Sequence, residues 1–392
     1  MYIKNKQLTK YISILMILLG FISLVVQIYN NKEIYIKKFD PDLAEQEFNQ
    51  SQYVIPNSKK GISDGQLYAY AGYKYLTGTN PILLNAEHMT LGKYFIGVSI
   101  LLFKNENISG LISVVLTAIL FYLILKQVTN SFLLSSIGFF LFTNDSTIKM
   151  FLKEPTLLDI YQLLFLLLTF YFYIKWVNKQ QIMFNILTGL SLGFLATVKF
   201  YLIVVIVAIT LLIHMLLSKL KLSKIIFFIL ISSLSFTLAF LLTYIPSFTQ
   251  GTTITEFIKA QKWIFNFWRY NHLNYIEAKG NVLPLLLFNK WKIWWDNKGY
   301  INFEYWNLIY PFSIISMILL TIIYLNKAIK LKRKVFNKQT RFMFLFLIWI
   351  WLYMLYLIKI PIYPRYLILY FPFVYMVLLI YMKNIIGKEK EE

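Results

Sequence analysis

The sequence predicts an all-α, polytopic membrane protein, and three observations carry that expectation. Apolar runs long enough to cross a bilayer recur from residue 11 to residue 382, in a 392-residue chain that is 58% hydrophobic with a mean hydropathy of +0.60. The runs are continuous instead of alternating, which argues against an outer-membrane barrel. Lysine and arginine collect in the short connections between runs, where the positive-inside rule places them on the cytoplasmic side. The formal charge of +21 is therefore a topological signal. Nucleic-acid binding, which needs a basic stripe on one face, is not predicted. With no cysteine in the chain, disulfides, thiolate metal sites and cysteine nucleophiles are excluded.

About ten transmembrane helices are predicted, near residues 11–29, 108–127, 130–144, 159–176, 183–198, 200–217, 224–246, 306–325, 342–358 and 366–382. The first follows Lys4, Lys6 and Lys10 and lacks a small-x-small cleavage site, so it reads as a retained anchor and not a signal peptide. Residues 183–218 are too many for one spanning helix at ~1.5 Å per residue. They read as a hairpin turning at Thr197-Val198-Lys199, which keeps the lysine out of the bilayer centre. Leu91–Phe103 is apolar but short, and is predicted to be interfacial or re-entrant. With the N-terminus inside, the cytoplasmic connections carry no acid before the C-terminal tail. Of the eighteen acids, all but Glu389, Glu391 and Glu392 then face outward. Counting 91–103 as a span would invert that pattern. The expectation is one membrane domain over residues 1–392, multi-pass in the plasma membrane with both termini cytoplasmic. Its large outer segments are 30–107, with interfacial helices, and 247–305.

The candidate functional residues fall on that outer side. Asp64 opens DGQLYAYAGYKYLTG, a short helix expected to lie on the membrane with Tyr68, Tyr75 and Leu76 in the interface. As a residue type it suits either a general base or a helix N-cap. Glu87, His88 and Lys93 form a polar stretch that suits a snorkelling loop, an anion site at headgroup depth, or a weak metal site. Asp159 sits at the outer edge of an apolar run, where an unpaired acid is expensive, although a helix N-terminus also favours it. Lys199 and Arg365 occupy outer turns as snorkelling anchors or phosphate contacts. His272, Trp263, Trp268, Trp291, Trp294 and Trp295 lie in the second large loop, as interface aromatics or sugar-stacking groups. Taken together, acids, histidines and bases converging on one face predict a site for a phosphorylated, lipid-borne substrate. Bases would offset the charge of a leaving phosphate, and an aspartate would accept a proton from an attacking hydroxyl.

The order of these motifs resembles the GT-C membrane glycosyltransferases, specifically the protein O-mannosyltransferase and aminoarabinose-transferase group. Asp64…Tyr68…Ala71-Gly72…Gly78…Pro81…Glu87-His88…Leu91-Gly92-Lys93-Tyr94 is similar to that family's first outer loop. Leu157-Leu158-Asp159-Ile160 resembles its second acid, Gly189…Gly193…Thr197-Val198-Lys199 its glycine-rich hairpin, and Pro364-Arg365-Tyr366-Leu367 its Arg-Tyr-Leu segment. The resemblance implies an inverting glycosyltransferase that takes a sugar from a polyprenyl-phosphate donor. The acceptor would be a hydroxyl on protein, glycan or lipid at the outer membrane face. It implies Asp64 as general base, with Lys93, Lys199 and Arg365 on the donor phosphate. Asp159 would position the acceptor, the base or a divalent cation, while Glu87, His88 and His272 would be accessory. Two departures stand out. Gly65 follows Asp64 where many members carry a second acid, and Met89-Thr90 replaces the usual Pro-Pro. Rival classes are a transporter or flippase of lipid-linked sugars, which would be expected to carry repeated halves or mid-membrane polar groups, and a non-catalytic membrane assembly protein.

Overall fold

The computed structural model describes residues 2–273, 278–293, 299–330 and 338–388. Among the described residues the α-helices, numbered in chain order, begin with α1 (Tyr2–Asn30), α2 (Lys32–Ile36), α3 (Pro41–Asn49), α4 (Asp64–Leu76), α5 (Leu91–Phe103) and α6 (Ile108–Thr129). They continue through α7 (Phe132–Thr143), α8 (Ser146–Lys153), α9 (Asp159–Lys179), α10 (Ile182–Val198), α11 (Leu202–Leu217) and α12 (Leu222–Leu242). The remainder are α13 (Ile245–Thr249), α14 (Ile254–Leu273), α15 (Val282–Phe288), α16 (Ile309–Lys330), α17 (Lys338–Lys359) and α18 (Phe371–Lys388). Among the described residues the only sheet is a two-stranded antiparallel ribbon pairing Trp291 with Ile301 and Lys292 with Tyr300.

Among the described residues, seven helices are long and apolar enough to cross a membrane, namely α1, α6, α9, α12, α16, α17 and a stretch running from Pro364 through α18. Three further predicted spans form apolar helices that are shorter than usual. These are α7, α10 and α11, of 12, 17 and 16 residues. At 1.5 Å per residue, α7 extends roughly 18 Å against a hydrocarbon core of about 30 Å. It stops because Asn144 ends it and Asp145 caps α8, its side chain accepting from the Thr147 amide. The predicted run 224–246 also divides. α12 ends at Leu242 and Pro246, which cannot continue a helix, falls in the first turn of α13. The long apolar run does break into two helices, but the turn expected at Thr197-Val198-Lys199 falls at Lys199-Phe200-Tyr201, because α10 continues through Val198.

α9 and the Pro364–α18 stretch are the most enclosed of the long apolar helices, and α1 and α12 the most exposed. α9 packs on α6 and α10, α10 on α12, α11 on α17, and α17 on α18. Between α3 and α6, α4 and α5 press together at Gly72 and Gly97. A Cβ on Gly72 would collide with the backbone carbonyl of Lys93, and one on Gly97 with that of Gly72. Two backbones meet there because neither glycine carries a side chain.

The position of α4 corrects one expectation. Tyr68 and Tyr75 are buried inside the protein, not laid into the membrane interface. Tyr75 donates to the Leu84 carbonyl at 2.6 Å, so the aromatic face of α4 is spent on protein packing. The predicted cap also moves by one residue. Ser63 is the N-cap, in a capping box with Gln66, and Asp64 is the first helical residue.

Candidate functional site

Four charged side chains from distant parts of the chain meet. Each is placed by a local feature of the sequence. The Ser63 capping box sets Asp64 in the first turn of α4, where the helix dipole favours an acid. Asp159 also stands in the first turn of its helix, α9, although Leu158 at the N-cap offers no side-chain cap. Lys199 terminates α10 at the hairpin turn. Arg365 lies in a 3-10 helix, Pro364–Leu369, where Pro364 and Pro372 divide the last apolar run.

Arg365 bridges the two acids. Its Nη2 donates to Asp64 Oδ2 at 2.5 Å, and its Nε lies 3.5 Å from Asp159 Oδ2. Lys199 Nζ donates to Asp159 Oδ1 at 2.8 Å. The two cations also lie over aromatic faces, Lys199 at 4.5 Å from the Tyr366 centroid and Arg365 at 4.3 Å from that of Tyr363. Burial pushes the Lys199 ammonium below its ordinary pKa, and the neighbouring Asp159 opposes that shift. The acids differ in access. The Asp64 side chain is 33% exposed and that of Asp159 only 3%. Asp64 is therefore the carboxylate a substrate can reach, while Asp159 orders the cations.

Several buried polar atoms around this cluster have no hydrogen-bond partner among the described residues. They are Tyr68 Oη, His88 Nδ1, Asp159 Oδ2, Gln162 Nε2 and Arg365 Nε. The 3.5 Å separation of Arg365 Nε and Asp159 Oδ2 is an ion-pair distance and not a hydrogen bond. Folded proteins rarely leave such groups unpaired, and their concentration here marks a place built to meet a polar ligand. Beside the cluster lies a small, partly open cavity. Asp159, Gln162 and Lys199 supply its polar wall, and Trp268, Tyr353 and Tyr366 are among its aromatic ones.

Lys93, Glu87 and His88 form an adjoining layer. Lys93 is fully buried, and its ammonium donates to the Asn85 carbonyl at 2.6 Å, Asn85 Oδ1 at 3.1 Å and the His88 carbonyl at 2.7 Å. All three donors of the ammonium are thus spent on the 85–88 loop. Burial pushes its pKa down to about 7, against the pull of Glu87. In this arrangement Lys93 shapes the loop and does not face Asp64 or Asp159 through any direct contact. Glu87 accepts from Asn85 Nδ2 at 2.6 Å, and its carbonyl accepts from Trp268 Nε1, also at 2.6 Å. His88 stands edge-on to Tyr68 and tilted against Trp268, at 5.3 and 4.9 Å between centroids. Burial, followed by the charges of Lys199, Lys93 and Arg365, lowers its pKa well below the usual value, so the imidazole is neutral. His272 falls near the end of α14, but its side chain lies outside the described residues, as do Trp294 and Trp295.

Both motif departures have local causes. A Cβ on Gly65 would meet the Thr156 hydroxyl, so Thr156 takes the space a second acid would need. The Met89 amide donates to the Lys199 carbonyl at 3.1 Å, a bond proline cannot make. The residues do not fit a divalent cation. Arg365 stands between the two acids, and among the described residues no three His, Asp or Glu side chains converge.

Comparison with protein-family models and with curated proteins finds no match for this chain. The likeness to a family therefore rests on the motifs themselves. Sequence reading missed Gln162, Tyr366 and Tyr68 as site residues. A signal existed for Gln162, a lone polar side chain one helical turn after Asp159 in an apolar run. It also missed a second buried acid, Asp145, which accepts from Tyr375 Oη at 2.5 Å and ties the start of α8 to α18.

Proposed function

We propose that this chain is a membrane glycosyltransferase that moves a sugar from a polyprenyl-phosphate donor to an acceptor hydroxyl on the extracytoplasmic face, with inversion. The observation that carries this reading is the Asp64–Arg365–Asp159–Lys199 network beside an aromatic cavity. The motif order resembling GT-C glycosyltransferases adds to it, and the ten-span topology with cytoplasmic termini belongs to the same proposal.

In the reaction Asp64 accepts the proton of the acceptor hydroxyl. The acceptor oxygen bonds to the anomeric carbon as the carbon–oxygen bond to phosphate breaks, and polyprenyl phosphate leaves. Lys199 spends one of three donors on Asp159, so two remain for phosphate oxygens. Arg365 adds a guanidinium with an unspent Nε. Charge that develops on the leaving phosphate is met by cations already held in place. The acceptor is a protein, a glycan or another lipid.

The test is an assay of purified protein in lipid discs with a panel of polyprenyl-phosphate sugars. Release of polyprenyl phosphate is expected, and Asp64→Asn should lower it by about 10²–10⁴-fold. An Asp64→Asn variant that turns over like the wild type would remove Asp64 as base. Movement of intact lipid-linked sugar across the bilayer without glycosyl transfer would replace the enzyme reading with that of a transporter.

A further inference from the structure

The cavity holds a polar group that the proposed chemistry does not use. Gln162 follows Asp159 by three residues on α9, so the two share a helical face. It lines the cavity and is only 3% exposed, yet its Nε2 has no hydrogen-bond partner among the described residues. A buried amide donor left unpaired costs about 1–3 kcal/mol. The terminal torsion of glutamine is soft, so a small rotation presents the amide to a ligand.

The charges on the cavity wall narrow the ligand. Asp159 and Lys199 are paired with each other at 2.8 Å. Among the described residues lining the cavity they are the charged ones, so that wall carries no net charge to offset an ammonium or carboxylate on a sugar ring. Burying such a group without a compensating net charge is far costlier than burying a hydroxyl against an amide. The other walls, Tyr353, Tyr356, Tyr366 and Trp268, offer faces for the C–H side of a pyranose.

We propose that Gln162 is a specificity-determining residue, donating from its carboxamide to a ring hydroxyl of an uncharged sugar carried on the lipid phosphate. This rests on the glycosyl-transfer reading for the donor's identity, but it is tested by binding alone. The full chain in lipid discs is titrated with bare polyprenyl phosphate, with polyprenyl-phosphate hexoses and with polyprenyl-phosphate amino sugars, read by tryptophan fluorescence. Gln162→Met keeps the shape and removes the amide; Gln162→Glu adds a charge that an amino sugar can meet.

The wild type should bind a hexose donor more tightly than the bare lipid phosphate. Gln162→Met should weaken the hexose donor about 10-fold while changing the bare lipid phosphate by less than ~2-fold. Gln162→Glu should shift preference toward the amino-sugar donor. Equal losses for both ligands in Gln162→Met would mean a packing role and overturn the proposal. So would a wild type that binds hexose donors no better than the bare lipid, prefers a charged sugar, or binds none of the three. If binding follows the expected pattern but no sugar reaches any acceptor, glycosyl transfer fails and the Gln162 assignment stands.

Discussion

Removing the Asp159 carboxylate should be one of the costliest single changes in this protein, and deleting its partner as well should restore much of the loss. Asp159 is 2% exposed and Lys199 6%. In Asp159→Leu the Lys199 ammonium stays buried with only the Tyr366 face beside it. Removing one member of a buried pair typically costs about 3–5 kcal/mol. Lys199→Met is milder, because Asp159 keeps Arg365 Nε at 3.5 Å; roughly 1–3 kcal/mol is expected. In the double variant no buried charge is orphaned, since Arg365 retains Asp64 at 2.5 Å. Replacing a buried pair by apolar side chains is often close to neutral. With those single losses and a near-neutral double variant, a coupling of roughly 4–8 kcal/mol between the two sites is expected. Unfolding titrations in mixed micelles, followed by tryptophan fluorescence, measure all four corners of the cycle. A double variant no more stable than Asp159→Leu would refute the reasoning, as would a Lys199→Met that is the worse single change.

Other perturbations separate structural roles from chemical ones. Lys93 gives up its proton near pH 7 in the folded chain but near 10.5 when unfolded. The unfolded chain therefore binds the extra proton between those values, and stability rises with pH across that window. From pH 7 to 9 the wild type should gain on the order of 2 kcal/mol relative to Lys93→Met, and parallel pH profiles would rule this out. Gly72→Ala should lose about 1–3 kcal/mol despite alanine's better helix propensity, since its Cβ meets the Lys93 backbone. Gly65→Ala should be milder, because it meets only the Thr156 hydroxyl. Equal melting temperatures for those two variants would deny the close approach of α4 and α5. Tyr375→Phe removes the donor to buried Asp145 and should cost about 1.5–3 kcal/mol, read as a lower melting temperature.

The helical character, the long apolar helices and the Lys199 hairpin were legible because each rests on a local signal. Apolar length marks a span, and a lysine within a long apolar run marks a turn. α7 was legible as well, since the run expected at 130–144 ends at Asn144, just before the Asp145 cap of α8. The face of α4 was misread. Tyr68 and Tyr75 have the pattern of an interfacial belt, and only the Gly72–Gly97 contact with α5 turns them inward. Asp64, Asp159, Lys199 and Arg365 could be nominated from residue type and topology, and the structure brings these four together. Which cation pairs with which acid was not legible, nor was the consumption of Lys93 by loop carbonyls. Those contacts span 301, 40 and 5 to 8 residues of sequence and depend on how helices pack. Gln162 left a trace in the sequence, but its importance emerges only once the cavity beside it is seen.

The separation of Asp64 from Arg365 also bears on how the protein is made. During synthesis Asp159 meets Lys199 after only 40 further residues, so that pair can form as the hairpin enters the membrane. Asp64 must wait 301 residues for Arg365. A nascent chain halted before the final helices would hold most of its spans and still lack the guanidinium that joins its two acids. Closure of this charged network is thus a late event in biogenesis, complete only when the last helices arrive.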